Sequence, residues 1–254
     1  MAIKVTRMTP ADIDGAIITI QQAFADDPYS NWVFDKSQYN SARNHQSLTL
    51  RCYWGIKHGL FYVAKDPSSS EPDKVLGTAM WLPPTPPDQP DSWSLWYSNW
   101  MLWFQQGLMN LRFGRGGLRV HRYWIWKDAQ AKAQARLWTH EKGYYFCNIV
   151  TILPEYQGKG IGRALMEEVL QMADEQGIPA YLESSRKDPN VPIYEKFGFE
   201  LKKEMECDDD GDAIMLYCMT REPRGVGDGE AKKAGGYGTF EGTANGSGQN
   251  DSAA

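Results

Sequence analysis

No apolar leader follows Met1, and nowhere in the 254 residues do eighteen apolar side chains run uninterrupted, so neither a secretory signal nor a membrane span is expected. The chain also lacks a basic excess. Its formal charge is -5, with Lys and Arg scattered along the sequence, which argues against nucleic acid as a partner. Cysteine is sparse, and Cys52, Cys147, Cys207 and Cys218 stand far apart with no CxxC pair, so neither a disulfide framework nor a metal site is expected. Reduced thiols and the missing leader suit a cytoplasmic protein.

What is present suits one sizeable core: 42% of residues are hydrophobic, enough for a single large domain over 1–222. Beyond Arg221 the chain turns Gly-, Ser- and Asn-rich with almost no large apolar residue, and 223–254 is expected to be a disordered tail.

The segment 3–7 reads as a strand. Thr9 and Pro10 then start a helix that runs to about Phe24 and is broken by Asp26-Asp27-Pro28. Helical spacing returns over 41–57. Strands follow at 60–64 and 75–82, the second ended by Pro83 to Pro87. An insertion covers about 88–140. Eight of the ten tryptophans lie between Trp81 and Trp138, and Trp93, Trp96, Trp100, Trp103 and Phe104 recur at three- and four-residue steps, on one side of a helix.

The stretch 144–153 is short and almost continuously apolar or β-branched, as in a central strand covered on both faces. Residues 161–176 form an amphipathic helix stopped by Gly177 and Pro179, and 180–183 form a second buried strand. A short helix over 191–197 follows. Two last strands, 201–206 and 213–219, flank the hairpin signal Asp210-Gly211.

Gln157-Gly158-Lys159-Gly160-Ile161-Gly162 joins the central strand to the amphipathic helix. Such a junction gathers unpaired backbone N–H groups where three glycines permit close approach, with Lys159 and Arg163 adding positive charge. The spacing fits neither a P-loop nor a GxGxxG fingerprint. The residues themselves indicate a pyrophosphate cradle, with a purely structural glycine turn as the alternative.

The run 157–162 resembles the [R/Q]-x-x-G-x-[G/A] signature of the GNAT acetyltransferase superfamily, and Ile193-Tyr194-Glu195-Lys196-Phe197-Gly198-Phe199 is similar to that family's Tyr-Glu-(Lys/Arg)-x-Gly-Phe element. Ile178 to Ser185, Asn190 to Tyr194 and Tyr217 to Arg221 look most like the puromycin N-acetyltransferase branch. The resemblance is weak between Pro83 and Lys142. It implies an α/β (α+β) fold, a mixed and mostly antiparallel sheet flanked by helices, here with a Trp-rich helical insertion. It also implies an N-acetyltransferase that takes acetyl-CoA as cosubstrate and moves acetyl directly to an amine.

On that likeness, Gln157 to Arg163 hold the cofactor and Asn190 lies near it. Backbone N–H groups of Val150, Thr151 and Ile152 then face the thioester carbonyl where their strand splays. Tyr194 protonates the leaving thiolate, since a phenol near pKa 10 can donate to it. Glu183, at the end of the second buried strand, is the candidate base, or else a structural carboxylate; His140 and Glu141 read as an exposed turn pair. Cys147 has no histidine beside it in sequence, so direct transfer is preferred to a covalent acetyl-enzyme.

Trp96 and Trp100 are candidates for gripping a small-molecule amine. The same segment also fits the core of the insertion, a homodimer contact, or contact with a membrane surface. Two other roles stay open for the whole chain: a protein or peptide N-acetyltransferase, and a non-catalytic acetyl-CoA-binding protein.

Overall fold

The structure is a computed structural model that describes residues 2–86, 89–90 and 92–225. In chain order its elements are β1 (Lys4–Arg7), α1 (Ile13–Ala23), α2 (Pro28–Val33), α3 (Ser41–His58), β2 (Leu60–Lys65), β3 (Gly77–Leu82), α4 (Trp93–Phe113), α5 (Val120–Leu137), β4 (Tyr145–Ile152), α6 (Ile161–Gln176), β5 (Ala180–Ser184), α7 (Asn190–Glu195), β6 (Glu200–Asp209) and β7 (Asp212–Arg221). The seven strands form one sheet in the order β1-β2-β3-β4-β5-β7-β6, antiparallel except for the pair β4 and β5. This is the mixed, mostly antiparallel sheet flanked by helices that the sequence motifs imply.

Both faces of the sheet are covered, which explains why β4 and β5 lack polar alternation. On one face α6 lays down Ile161, Leu165, Met166, Val169 and Ala173 against Ala79, Leu182 and Met219. On the other, Ile13, Ile17 and Cys52 of α1 and α3 cover Phe61 and Val63, while Trp32, Val33 and Ala133 of α2 and α5 cover Tyr181, Leu216 and Cys218. The β6–β7 hairpin turns through Asp210 and Gly211, both at positive φ, as a two-residue loop requires.

Sequence reasoning read Asp26-Asp27-Pro28 only as a break. It is the start of α2, with Pro28 as first helical residue and the Asp27 carboxylate accepting from the Ser30 N–H at 2.8 Å. Within the insertion, 120–137 is a second helix, α5, docked on β6 and α2. The disorder expected of 223–254 falls, from residue 226 onward, outside the described residues. Arg224, two residues past the expected domain boundary, donates its N–H to Asp174 at 2.7 Å and its guanidinium to the Phe197 carbonyl at 2.9 Å.

The end of β7 is clamped by Arg221, which is 2% exposed. Its guanidinium grips both oxygens of Asp174 on α6 at 2.7 Å and donates from Nε to the Phe197 carbonyl at 2.9 Å. A fork of this kind satisfies a buried cation, and removing one partner strands the other. Arg221→Ala is expected to lower unfolding stability by about 3–5 kcal/mol in urea titrations. A loss under about 1 kcal/mol would show that the clamp is dispensable.

Candidate active site

The site begins where two neighbouring strands part. β4 and β5 share only three rungs, Tyr145 with Ala180, Phe146 with Tyr181 and Cys147 with Leu182. Beyond Cys147, β4 stays with β3 as far as Ile152 opposite Gly77, while β5 stays with β7 as far as Ser184 opposite Tyr217. The register of β3 on β4 slips at the same level: Met80 faces Ile149 and Trp81 faces Cys147, leaving Asn148 as an extra residue. A bulge of this kind turns the strand and ends its pairing, and bulges collect beside active sites. The splay therefore opens at Asn148, two residues before the Val150 expected from sequence.

Val150, Thr151 and Ile152 lie on the parted stretch, where they pair with β3 alone. The Thr151 side chain is buried and its hydroxyl lies 3.2 Å from that of Thr19 on α1. Asn148 was missed, although it is the one exposed polar residue in an otherwise apolar run.

From β4 the chain passes through a turn over Pro154–Tyr156 to Gln157 and into α6. Gly158 and Gly160 have φ of +73° and +83°, a region that L side chains avoid, and a Cβ at either would meet nothing within 4 Å. No side chain caps α6, so its first N–H groups point into open space backed by the helix dipole. Ile161, buried against the sheet, fixes the helix, and a Cβ on Gly162 would stand 3.2 Å from Ile152. Lys159 donates to the Glu155 carbonyl at 2.7 Å and lies over the Tyr156 ring. Arg163 reaches Glu167 at 3.4 Å. The cradle fits a pyrophosphate: an uncapped helix start, two glycines with free space above them, and two exposed cations.

Tyr194 sits on α7, packed edge-on against Phe199, with no hydrogen-bond partner for its hydroxyl among the described residues. Burial, and then the neighbouring Cys147, push its pKa well above the ordinary tyrosine value. Its hydroxyl therefore stays protonated through the ordinary tyrosine range. Cys147 itself is buried and its thiol is also pushed up by burial, so it is no thiolate nucleophile. Asn190, first residue of α7, donates to Ser184 Oγ at 3.1 Å, and Ser184 Oγ donates to the Arg186 carbonyl at 2.9 Å. Its side chain thus ties the Tyr194 helix to the end of β5.

Across β5 from the cradle, Glu183 accepts from Gln130 Nε2 and from the Tyr181 hydroxyl, each at 2.8 Å. Lys127 donates to Gln130 Oε1 at 2.9 Å. Burial raises the Glu183 pKa, opposed by these hydrogen bonds and by the Lys127 charge. Gln130, Tyr181 and Asp27 escaped sequence reasoning. Asp27 is buried, caps α2 and accepts from Ser185 Oγ just beyond β5. His140 and Glu141 lie in the turn after α5, where His140 Nδ1 accepts from the Lys142 N–H at 3.3 Å.

Trp96 and Trp100 are not brought to this cleft. They lie 53% and 49% exposed on the outward face of α4, whose opposite face is bonded to α3. Among the described residues no group of His, Cys, Asp and Glu could hold a metal ion.

Residues 119–201, which run from the start of α5 into β6 and hold β4, the glycine cradle, β5 and α7, match the acetyltransferase (GNAT) domain family. Over this segment the chain is similar to GNAT acetyltransferases. Over 223 residues it is 27% identical to an uncharacterized N-acetyltransferase of Schizosaccharomyces pombe, covering 85% of this chain and 82% of the relative. Two solved structures share the fold. One is described as histone acetyltransferase HPA2 and related acetyltransferase from Corynebacterium glutamicum, at 21% identity and TM-score 0.59 over 88% of this chain and 98% of that one. The other is arylalkylamine N-acetyltransferase 2 from Aedes aegypti, at 14% identity and TM-score 0.57 over 88% and 100%. α4 lies outside the matched family segment.

The matched family uses acetyl-CoA, and the cradle offers a direct check on whether this chain holds it there. Gly160→Ala puts a methyl group into the open space above the backbone at a φ of +83°. Acetyl-CoA affinity is expected to drop at least about tenfold in calorimetry, with a stability loss of only about 1–2 kcal/mol. Unchanged affinity in the folded variant would remove 157–163 from the cofactor site.

Proposed function

We propose that this enzyme acetylates the amine of a small molecule by direct transfer from acetyl-CoA. The observation that carries the reading is the cleft past Cys147, with the glycine cradle to one side and half-buried Glu183, held by buried Gln130 and Tyr181, to the other. The cosubstrate supplies an acetyl thioester, and the rest of the chemistry falls to the chain. Unpaired backbone N–H groups from Asn148 onward donate to the oxyanion that develops on the carbonyl. Glu183, or a water on it, accepts the proton that the attacking amine must lose. The Tyr194 hydroxyl donates a proton to the departing sulfur, a role favoured by the burial that keeps it protonated.

A small acceptor is favoured by what surrounds Glu183. α2 and α5 roof this part of the sheet, with the Trp126 ring 5.0 Å from Tyr29 and 5.7 Å from Tyr123. Lys127 lies beside Glu183 and its own pKa is lowered chiefly by burial. An aromatic roof over a carboxylate flanked by lysine suits a compact amine better than it suits a basic peptide, which would need an open acidic trough. The likeness of 178–185 and 217–221 to the puromycin-type branch, and an arylalkylamine enzyme among proteins of the same fold, point the same way.

A CoA-release assay over arylalkylamines, aminonucleosides and basic peptides tests the reading. At least one small amine is expected to exceed every peptide in kcat/KM by about 10²-fold or more; peptides as the better acceptors would overturn it. With the best amine, Tyr194→Phe is expected to cut kcat about 10²-fold or more while acetyl-CoA affinity holds. The direction of its pKa sets the pH dependence. Because burial raises it, the wild-type rate declines only above the ordinary tyrosine range, and the phenylalanine variant loses that decline. Normal kcat in the variant would leave proton delivery to water.

A further inference from the structure

The rotation of α4 about its axis is fixed by polar contacts on one side. Asn110 Oδ1 accepts from Arg43 at 2.9 Å and Gln106 Oε1 from Ser47 at 3.1 Å. Asn99 Oδ1 accepts from Trp54 at 2.9 Å and Ser98 Oγ from Lys57 at 3.2 Å. Met109 is buried on the same side. The face turned away carries Trp93, Trp96, Trp100, Trp103, Phe104 and Leu111, with Trp93, Trp103 and Leu111 exposed by 83%, 73% and 86%. These rings touch one another along the helix, Trp93 against Trp96 at 5.6 Å and Trp100 stacked on Phe104 at 5.8 Å. Over 21 residues the stripe is about 30 Å long, a continuous apolar surface and not scattered exposed side chains.

Charge decides what the stripe faces. From Ser92 to Lys127 there is no Asp or Glu, while Arg112, Arg115, Arg119, Arg122 and Lys127 are basic. α3, on which α4 rests, also has no acidic residue and carries Arg43, Arg51 and Lys57, in a chain whose net charge is -5. Arg112 and Arg115 are exposed at the C-terminal end of the stripe. A second copy of this surface would set basic groups against basic groups. An anionic headgroup layer neutralises them, and tryptophan is the side chain that rests at its boundary with the acyl chains. No described helix is long and apolar enough to cross a membrane, and the inner face of α4 is committed to α3, so the helix lies along a surface.

We infer that α4 is a docking face for anionic lipid, with the aromatic stripe at the headgroup boundary and Arg112 and Arg115 on the lipid phosphates. The full-length protein is incubated with vesicles of phosphatidylcholine alone or with about one third phosphatidylserine. Binding is read by co-sedimentation and tryptophan emission. Wild type is expected to sediment with the anionic vesicles only, with a blue shift reversed by salt. Trp93→Ser/Trp103→Ser and Arg112→Glu/Arg115→Glu, each checked for fold by circular dichroism, are expected to bind at least about tenfold more weakly. No binding to anionic vesicles, or undiminished binding by the folded variants, would overturn the inference. So would a dimer in sedimentation velocity that Trp93→Ser/Trp103→Ser dissolves. None of these readouts depends on acetyl transfer.

Discussion

The structure depends on one interruption: the parallel pair β4 and β5 stops after the rung between Cys147 and Leu182. Beyond it, alternate residues on those two edges have backbone groups without a strand partner. Inside a protein each such group costs about 1–3 kcal/mol if nothing satisfies it. A gap of this kind persists only when the surroundings hold both strands apart. α6 does so on one face through its buried stripe from Ile161 to Ala173, and α2 and α5 do so on the other through Trp32, Val33 and Ala133. The bulge at Asn148 and the clamp of Arg221 on Asp174 fix the two strands' separate courses, β4 with β3 and β5 with β7.

The groups around the gap divide by face. Alternation along β5 sends Leu182 toward α6 and Tyr181 and Glu183 toward α5, so Glu183 and the glycine cradle fall on opposite sides of the sheet. Tyr194 reaches the apex from a third direction, on a helix that Asn190 ties to Ser184 and whose approach Asp27 steadies through Ser185. Burial acts alike on two of these groups. It keeps both the Tyr194 phenol and the Cys147 thiol protonated, which suits the proposed role of the tyrosine as acid and argues against a thiolate nucleophile.

Much of this was legible in the sequence because its signals are local. The bounds of α6 follow from Gly160 and Gly177, both in the left-handed region, and the β6–β7 hairpin from Asp210-Gly211. Other features are pairwise, and a single chain does not display its pairs. Nothing in the run 144–153 says that β5 leaves β4 after Cys147, although Asn148 marks the place by its polarity. Gln130 is one of two glutamines on α5 until the fold brings it to Glu183. The tryptophans of α4 show their common side by spacing alone, yet which way that side faces is set by Asn99, Gln106 and Asn110 bonding to α3. Residues that read in sequence as pocket, core or contact face therefore stand on the surface.

The central claim is that acetyl transfer takes place in the gap past Cys147. A crystal structure with CoA and the best amine acceptor tests it most directly. The account predicts the CoA sulfur within hydrogen-bond reach of the Tyr194 hydroxyl, with the pyrophosphate on the N–H groups of 158–163 and the acceptor nitrogen on the Glu183 side of the sheet. CoA bound away from the gap, or an amine approaching from the α6 face, would contradict it.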